Sequence, residues 1–503
     1  MQKLSKNDLI TLVELPPTEF GKLNGPKAAD IFSGFGLPAR ALHILNAVLE
    51  ADGWKNIRII NPLYHGDNGK LSKENWKLIK ESKVLGLSTI TRTAPQTYEL
   101  SKAYHKLNPN GIVIMGGPHP TFEKEECLES GADIVVLYEG EAILVDLMRT
   151  LSENPDKIKR VKGIAFREKG KVITTPLRDL MTKDELGKLP HPNYDLDTVN
   201  KADVGVVMTS RGCVHCCDFC SGWKFYQRRF RGFPIEWVIE EMKWLNKKLK
   251  PRKSMMITDD NFYANPERSK EILRKMIAEG LNTRFWSVQV TVKCANDDEF
   301  LDLLEKANVK TLYIGIEALH DSELKAYKKP YEAKVNLDGL AKLGKRKFFW
   351  IHSMMMPGGI GSTPKTLIED VETLKNLNVM SAQFFPCTDL PGTDFEATMK
   401  AKKKILPVSD SLRSGLYVTV IPENKNFTPY SLQMAVIDQY KRFYSIPAIL
   451  KRSLRYSKRL FSLGVGMFAR KNLRNYLNKN ETKAHLKYLK SISYSERHKS
   501  FPI

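Results

Sequence analysis

A short β-rich run, Val204 to Thr209, leads directly into a loop carrying Cys213, Cys217 and Cys220. That Cx3CxxC spacing constrains the 503-residue chain more than any other feature, because it suggests both a metal centre and the place of that centre in a fold. A [4Fe-4S] cube takes thiolate ligands. Three cysteines in one loop can hold three corners and leave the fourth iron open, which is useful only if something else must bind there. A loop at the C-terminal end of a strand is where barrel active sites lie. Two simpler readings compete. A structural zinc would take the three thiolates plus His215 or Cys216, and a disulfide loop would use the same residues covalently. Seven cysteines is a sparse, odd number, and the N-terminus lacks a signal-peptide pattern. Together these point to a reducing, cytoplasmic setting in which thiols bind metals or do chemistry. Cys216 breaks the spacing and reads as a bystander, and Cys127, Cys294 and Cys387 read as small apolar packing residues.

From about residue 203 to 395 the chain alternates short apolar runs with amphipathic helices, the pattern of a β/α layer fold. After a helix near 234 to 248, the run Ser254 to Ile257 ends in Thr258-Asp259-Asp260-Asn261. Phe285 to Thr291 alternates as a strand, Thr311 to Glu317 is apolar and ends in a carboxylate, and Phe348 to Met356 precedes Pro357-Gly358-Gly359. The cysteine spacing together with these runs resembles the radical SAM superfamily. That resemblance implies a partial (βα)6 barrel over about 201 to 420. It also implies a cluster whose open iron chelates S-adenosylmethionine and cleaves it to a 5'-deoxyadenosyl radical. Phe219 matches the aromatic residue that members place beside the adenine. Asp260 stands where members carry groups for the methionyl amine, although their usual Gly-Gly-Glu is absent here. A solvated acidic turn is the competing reading of Asp259-Asp260-Asn261. Gln289 and Glu317 become candidates for polar contacts to the ribose or the amino acid part. The run Thr311 to Glu317, through Gly315-Ile316-Glu317-Ala318 followed by Leu324 and Lys328-Lys329, is similar to the fifth-strand pattern of one branch, and Phe348 to Gly359 to its sixth strand and glycine turn, with Gly358 among the S-adenosylmethionine residues.

The first 150 residues carry an independent pattern. Ile31 to Gly36 reads as a strand, followed by a helix over Pro38 to Asp52 and strands at Ile57 to Pro62, Val84 to Thr89 and Gly111 to Gly117. This predicts a doubly wound, flavodoxin-like parallel sheet, whose ligands sit beyond the C-terminal strand ends. Those ends supply Gly34 to Gly36, Ser88 to Arg92 and Gly116 to His119. The arrangement resembles the cobalamin-binding domain found ahead of many radical SAM barrels, on Gly86-Leu87-Ser88-Thr89, on Gly116-Gly117-Pro118-His119-Pro120, and on Tyr138-Glu139-Gly140-Glu141. It implies cobalamin near Ser88, Thr89, Arg92, Gly116 and Gly117. Members that ligate cobalt through histidine carry Asp-x-His-x-x-Gly after the first strand. The matching stretch, Asp30 to Phe35, has none, so no lower histidine ligand is expected, and His65 and His119 read as surface or hydrogen-bonded residues. The alternative is a nucleotide-binding or vestigial sheet, but no Gly-x-Gly-x-x-Gly fingerprint is present.

Residues 151 to 200, charged and marked by Pro176, Pro190 and Pro192, read as a linker with a small hairpin, and 421 to 503 as a basic helical region. From Lys451 to Lys499 fourteen Lys or Arg face two acids, interleaved with Leu454, Leu460, Phe461, Met467 and Phe468. With a net charge of +22, the chain asks for an anionic partner. An interfacial helix at the inner membrane surface fits the tail, and no apolar run reaches the roughly 18 residues of a spanning helix. A docked helical subdomain is the competing reading. Nucleic acid is not favoured, because no recognition module accompanies the barrel. The resemblance implies C-methylation of an unactivated carbon on a hydrophobic, lipid or isoprenoid, substrate, with electrons from a ferredoxin- or flavodoxin-type donor. A ring-closing or carbon–carbon coupling enzyme is the alternative within the class. Outside the class stands a zinc-stabilised nucleic-acid-binding protein without catalysis. No residue identifies the catalytic groups.

Overall fold

The computed structural model describes residues 3–16, 37–66, 69–251, 253–413, 415–456 and 459–499. Five aliphatic runs form parallel strands: β1 (Ile10–Glu14), β2 (Ile57–Ile60), β3 (Val84–Ser88), β4 (Ile112–Gly116) and β5 (Ile134–Val136). They lie in the order β2-β1-β3-β4-β5. Side chains alternate across a strand, and here both faces are apolar. Ile10, Leu12, Val84 and Ile112 meet Leu42, Leu49 and Leu147 from the helices Arg40–Ala51 and Gly140–Glu153. Val13, Leu85, Leu87 and Val113 meet Tyr98, Leu100 and Tyr104 from the helix Ala94–Leu107. Helices on both faces are what a buried parallel sheet requires.

The doubly wound sheet is therefore present, but its first strand is not where the sequence placed it. That strand is Ile10–Glu14, and Ile31 to Gly36 lies outside the described residues. Ile10-Thr11-Leu12-Val13 is a weak signal because only four residues carry it. The small hairpin expected between the two regions is present. Its strands, β6 (Ile164–Glu168) and β7 (Lys171–Thr174), pair antiparallel and extend the sheet from β5.

A second sheet contains β8 (Val204–Val207), β9 (Ser254–Ile257), β10 (Trp286–Val290), β11 (Val309–Glu317), β12 (Trp350–Met355) and β13 (Ser381–Phe384). These six strands follow one another across the sheet in chain order, with parallel pairing from β9 to β13. Thr258 N–H donates to Val207 O at 2.8 Å beside the β8 end. Helices such as Pro266–Ala278, Asp298–Lys306, Ala333–Lys345 and Pro364–Asn376 connect successive strands, giving the repeated βα units of a partial (βα)6 barrel. The sequence counted Thr311 to Glu317 as the fifth strand and Phe348 to Gly359 as the sixth. They are the fourth and fifth, and the sixth is Ser381–Phe384, whose polar Ser381 and Gln383 hide it.

The described residues divide into two compact units, one holding 3–206 with 231–251 and the other 207–230 with 253–499. In the first, Arg40 makes a bidentate pair with Glu241 of the helix Ile235–Lys248 at 2.9 and 3.2 Å. In the second, the edge strand β13 is covered by the helix Pro429–Phe443 and the residue that follows it. Tyr440 Oη accepts from Phe384 N–H at 2.9 Å, and Tyr444 Oη accepts from Ala382 N–H at 2.9 Å while donating to Ala382 O at 2.8 Å. An open sheet edge needs such partners. The basic tail continues as Ile446–Ser453, Arg459–Asn478 and Asn480–Lys499. Arg452 lies over the Phe443 ring at 4.0 Å, Phe461 stacks on Trp350 at 4.1 Å, and His485 Nε2 is 3.1 Å from Val418 O. The tail is thus docked along much of its length. No described helix is long and apolar enough to cross a membrane.

Candidate functional site

Where β8 ends, the chain is gathered by Asp259 at the end of β9. Its buried carboxylate accepts from Thr209 N–H and Oγ1, both at 2.6 Å, and from Ser210 N–H at 3.1 Å and Oγ at 2.6 Å. A buried acid needs such donors, and here they fix the start of the cysteine loop. Gly212 has φ +85°, and a Cβ there would fall 2.2 Å from Arg229 O. Glycine alone fits both demands. Burial pushes the Cys213, Cys217 and Cys220 thiols up, Cys217 to about 11. Such thiols stay protonated at neutral pH until a metal displaces the proton. Cys213 and Cys220 each disfavour the Cys217 thiolate, so the three share one electrostatic neighbourhood.

The two metal readings ask for different thiol spacings. Zn–S bonds near 2.3 Å bring tetrahedral sulfurs to within about 4 Å of one another. Among the described residues, the triads of ligand atoms within 4.8 Å of one another do not include these cysteines. The choice between a cube and a single zinc therefore rests on the Cx3CxxC spacing of the three cysteines and on the iron and sulfide content of the protein.

Three neighbours shape the loop's charge. Asp260, next to the Asp259 anchor, has an exposed carboxyl set in a recess that pushes its pKa up to about 6, first by desolvation and then by Asp259. A Cβ on Gly222 would stand 3.5 Å from Cys220 Sγ and 3.8 Å from Asp260 Oδ2, which places this acid at the Cys220 end of the loop. Gln289, from β10, donates to Asp260 O at 3.1 Å. Glu317 closes β11 through a register shift between Gly315 and Glu317 and takes φ +62°, a strained value for a residue with a Cβ. The bend turns its carboxylate back on the chain, where a Cβ at Gly315 would be 2.6 Å from Glu317 Oε1. Lys329 meets this carboxylate at 2.9 Å, with only 9% and 10% of the two side chains exposed.

Sequence reasoning places Lys328-Lys329 in the fifth-strand pattern but gives Lys329 no role. Its ammonium lies 5.8 Å from the Phe219 ring centroid and favours the Cys217 and Cys213 thiolates. A lysine directly after Lys328 looks like surface charge, and the signal that it is not surface is the glycine–glutamate strand end it must neutralise. Phe219 packs edge-on against Tyr327 at 5.8 Å. Gly358 has φ +98°, and a Cβ there would meet Leu432 at 2.5 Å. It lines a cavity with Asp218, Tyr327, Cys387, Met399 and Leu432. Cys127 and Cys294 are core residues, as read from sequence. Cys387 differs: it is partly exposed at the cavity wall.

In the first unit, Ser88 ends β3 and donates to Glu14 Oε2 at 3.5 Å. Burial lifts Glu14 to about 7. This acid ends the strand that the sequence misplaced and so escaped notice. Thr89 is fully buried, yet its Oγ1 has no hydrogen-bond partner. Gly116 ends β4, and Gly117 takes φ +114° with Thr89 O only 2.6 Å from where a Cβ would be. Arg92 lies in the helical turn Thr91–Thr93 that follows. Ser88, Thr89, Gly116 and Gly117 thus form a bare cradle of small groups with an orphaned hydroxyl, which suits a bulky polar-edged ligand. The two histidines named earlier are engaged by protein. His119 Nε2 is 2.7 Å from Tyr98 Oη, and His65 Nδ1 accepts from Asn61 N–H at 3.0 Å. The Asp30 to Phe35 stretch lies outside the described residues.

Comparison with known proteins bears on the family and the fold. The model of the radical SAM superfamily matches residues 207–374, and that of the B12 binding domain matches residues 31–148. An uncharacterized methyltransferase of Pyrococcus horikoshii is 28% identical over 455 residues, 88% of this chain and 94% of that protein. The anaerobic magnesium-protoporphyrin IX monomethyl ester cyclase of Cereibacter sphaeroides is 25% identical over 73% of this chain and 60% of its own length. Among solved structures, the radical S-adenosylmethionine methyltransferase TsrM from Kitasatospora setae, with cobalamin and [4Fe-4S] cluster bound, superposes with a TM-score of 0.67 at 16% identity. The match covers 93% of this chain and 99% of that one.

Proposed function

We propose that this chain, which belongs to the radical SAM enzymes that carry a B12-binding domain, C-methylates an unactivated carbon of a hydrophobic substrate. The observation that carries the enzyme reading is the cysteine loop, three thiols in Cx3CxxC spacing whose start is fixed by Asp259 and Gly212. The implied groups supply an electron that cleaves S-adenosylmethionine to a hydrogen-abstracting radical, and a methyl group for transfer from cobalamin. The protein's part is to hold and shield. Cys213, Cys217 and Cys220 would hold the cluster. The recessed Asp260 carboxylate, with Gln289 against its backbone, would take the methionyl amine. Glu317, held in a strained conformation by Lys329, would orient the ribose or amino acid part, and Phe219 and Gly358 would bound the adenine. Ser88, Thr89, Arg92, Gly116 and Gly117 would line the corrin.

Two features favour a hydrophobic substrate. Tyr327, Met399 and Leu432 give the cavity beside Asp218 an apolar wall. Leu450, Leu454, Leu460, Met467 and Phe468 are exposed on the docked tail at 43% to 84%, amid Lys451, Arg459, Lys471 and Arg474. An apolar, cationic surface of this kind suits peripheral contact with anionic lipid. The cyclase relative supports ring closure as a second reading. The test is anaerobic reconstitution of the full chain with iron, sulfide and cobalamin, then incubation with a low-potential reductant, methyl-labelled S-adenosylmethionine and a lipid extract. Methylation predicts 5'-deoxyadenosine and S-adenosylhomocysteine together, with label entering the lipid fraction. 5'-Deoxyadenosine with no label transfer would instead support ring closure.

A further inference from the structure

Away from the cysteine loop, the second unit brings together a histidine and two carboxylates that the proposed chemistry does not use. His320 lies just past β11 and immediately precedes the helix Asp321–Ala326; Glu323 is on that helix, and Asp370 is on the helix Pro364–Asn376. One ligand atom from each lies within 4.8 Å of the other two, and His320 Nε2 is 3.2 Å from Asp370 Oδ1. Glu323 and Asp370 are 1% and 3% exposed, whereas His320 is partly open to solvent.

A second observation points to a ligand. Glu323 Oε2 is buried and accepts no hydrogen bond, although Ser362 and the Gly359 backbone sit against the same carboxyl. A buried carboxylate oxygen without a donor is costly, and here it faces another buried acid and an imidazole. A divalent ion with two carboxylates and one neutral histidine is a charge-neutral set. We propose that His320, Glu323 and Asp370 hold a divalent first-row transition ion.

The donor chemistry sets the class. Magnesium and calcium take oxygen ligands, while an imidazole beside carboxylates suits manganese, iron or zinc. Three protein ligands leave room for water to complete the shell, and the open side of His320 gives the ion a way in. Bound there, the ion ties the helix Asp321–Ala326 to the helix Pro364–Asn376 and to the turn at Gly359, where a Cβ would lie 3.2 Å from Glu323 Cγ and 2.6 Å from Tyr327 Oη. It therefore serves as a positioning ion for the segment that carries Tyr327, the partner of Phe219.

Manganese(II) is the suitable probe because it prefers oxygen and nitrogen ligands and leaves thiolates to softer metals. Titration into the cluster-loaded full chain, followed by electron paramagnetic resonance, should show one saturable site with nitrogen coupling from a single imidazole. Glu323→Gln and Asp370→Asn should each weaken binding at least about tenfold, a difference of about 1.4 kcal/mol. His320→Ala, at a partly exposed position, should remove the nitrogen coupling. Wild-type protein that binds neither manganese nor zinc outside the cysteine loop would overturn the proposal, and so would nitrogen coupling that survives in His320→Ala. If Glu323→Gln does not fold, the wild-type and His320→Ala spectra decide the matter.

Discussion

Lys329 and Glu317 form a charge pair that neither partner could sustain alone, since each side chain is about nine-tenths buried. Removing one partner of a buried pair costs about 3–5 kcal/mol, because the remaining charge has no counterpart. Lys329→Met should therefore lower the thermal unfolding midpoint clearly and weaken S-adenosylmethionine binding, whereas adding Glu317→Gln should recover most of the stability but not the binding. A single variant as stable as wild type would show that Glu317 is neutralised some other way. The three cysteines were legible in the sequence because their spacing is local, and a loop of eight residues carries the whole message. Lys329, Asp259 and Glu14 were not legible as site residues, because each takes its meaning from a partner distant in sequence or from a strand end. Asp259 shows the difference plainly. It looked like half of an acidic turn beside Asp260, yet four donors from Thr209 and Ser210 make it an anchor while Asp260 keeps a free, recessed carboxyl.

Strands with several aliphatic residues in a row were found by their pattern, as β3, β4 and β11 illustrate. Short strands were missed. Ile10–Glu14 was overlooked in favour of a glycine-containing run downstream, and Ser381–Phe384 has too few β-favouring residues to stand out. β13 is a strand because tertiary contacts make it one: β12 on one side and the tyrosine hydroxyls on the other. This gives an expectation at the level of the element. Tyr444→Phe removes the acceptor for Ala382 N–H and the donor to Ala382 O, and an unsatisfied buried backbone group costs about 1–3 kcal/mol. Faster amide exchange should appear at Ala382, with much less change in β3 and β4. Exchange at Ala382 unchanged from wild type would mean that water or a shifted helix replaces the hydroxyl.

At the scale of the whole molecule, the +22 charge and the exposed apolar residues of the tail bear on where the enzyme works. The tail docks through Arg452, Phe461 and His485, so cutting the chain near Ile449 would expose a packed surface and confuse binding with unfolding. Surface substitutions avoid that problem. Leu460, 84% exposed, and Phe468, 43% exposed, can become glutamate with little effect on the core. Each basic residue near an anionic bilayer contributes about 1 kcal/mol, screened beyond about 8 Å at physiological salt. Wild type should float with anionic vesicles at low salt and be released as salt rises, and Leu460→Glu/Phe468→Glu should bind much less while keeping its cluster. Equal flotation of the two proteins would place the contact elsewhere. What the enzyme does rests above all on the cluster, and one measurement tests that most directly. Anaerobically reconstituted wild type and its cysteine variants should be compared for iron and sulfide content and for 5'-deoxyadenosine formed under reduction. Wild type should hold about four irons per chain; Cys213→Ala, Cys217→Ala and Cys220→Ala should lose both cluster and product, and Cys216→Ala should give near-normal values. Zinc without sulfide in wild type, or a loss in Cys216→Ala equal to that in the other three, would contradict the assignment.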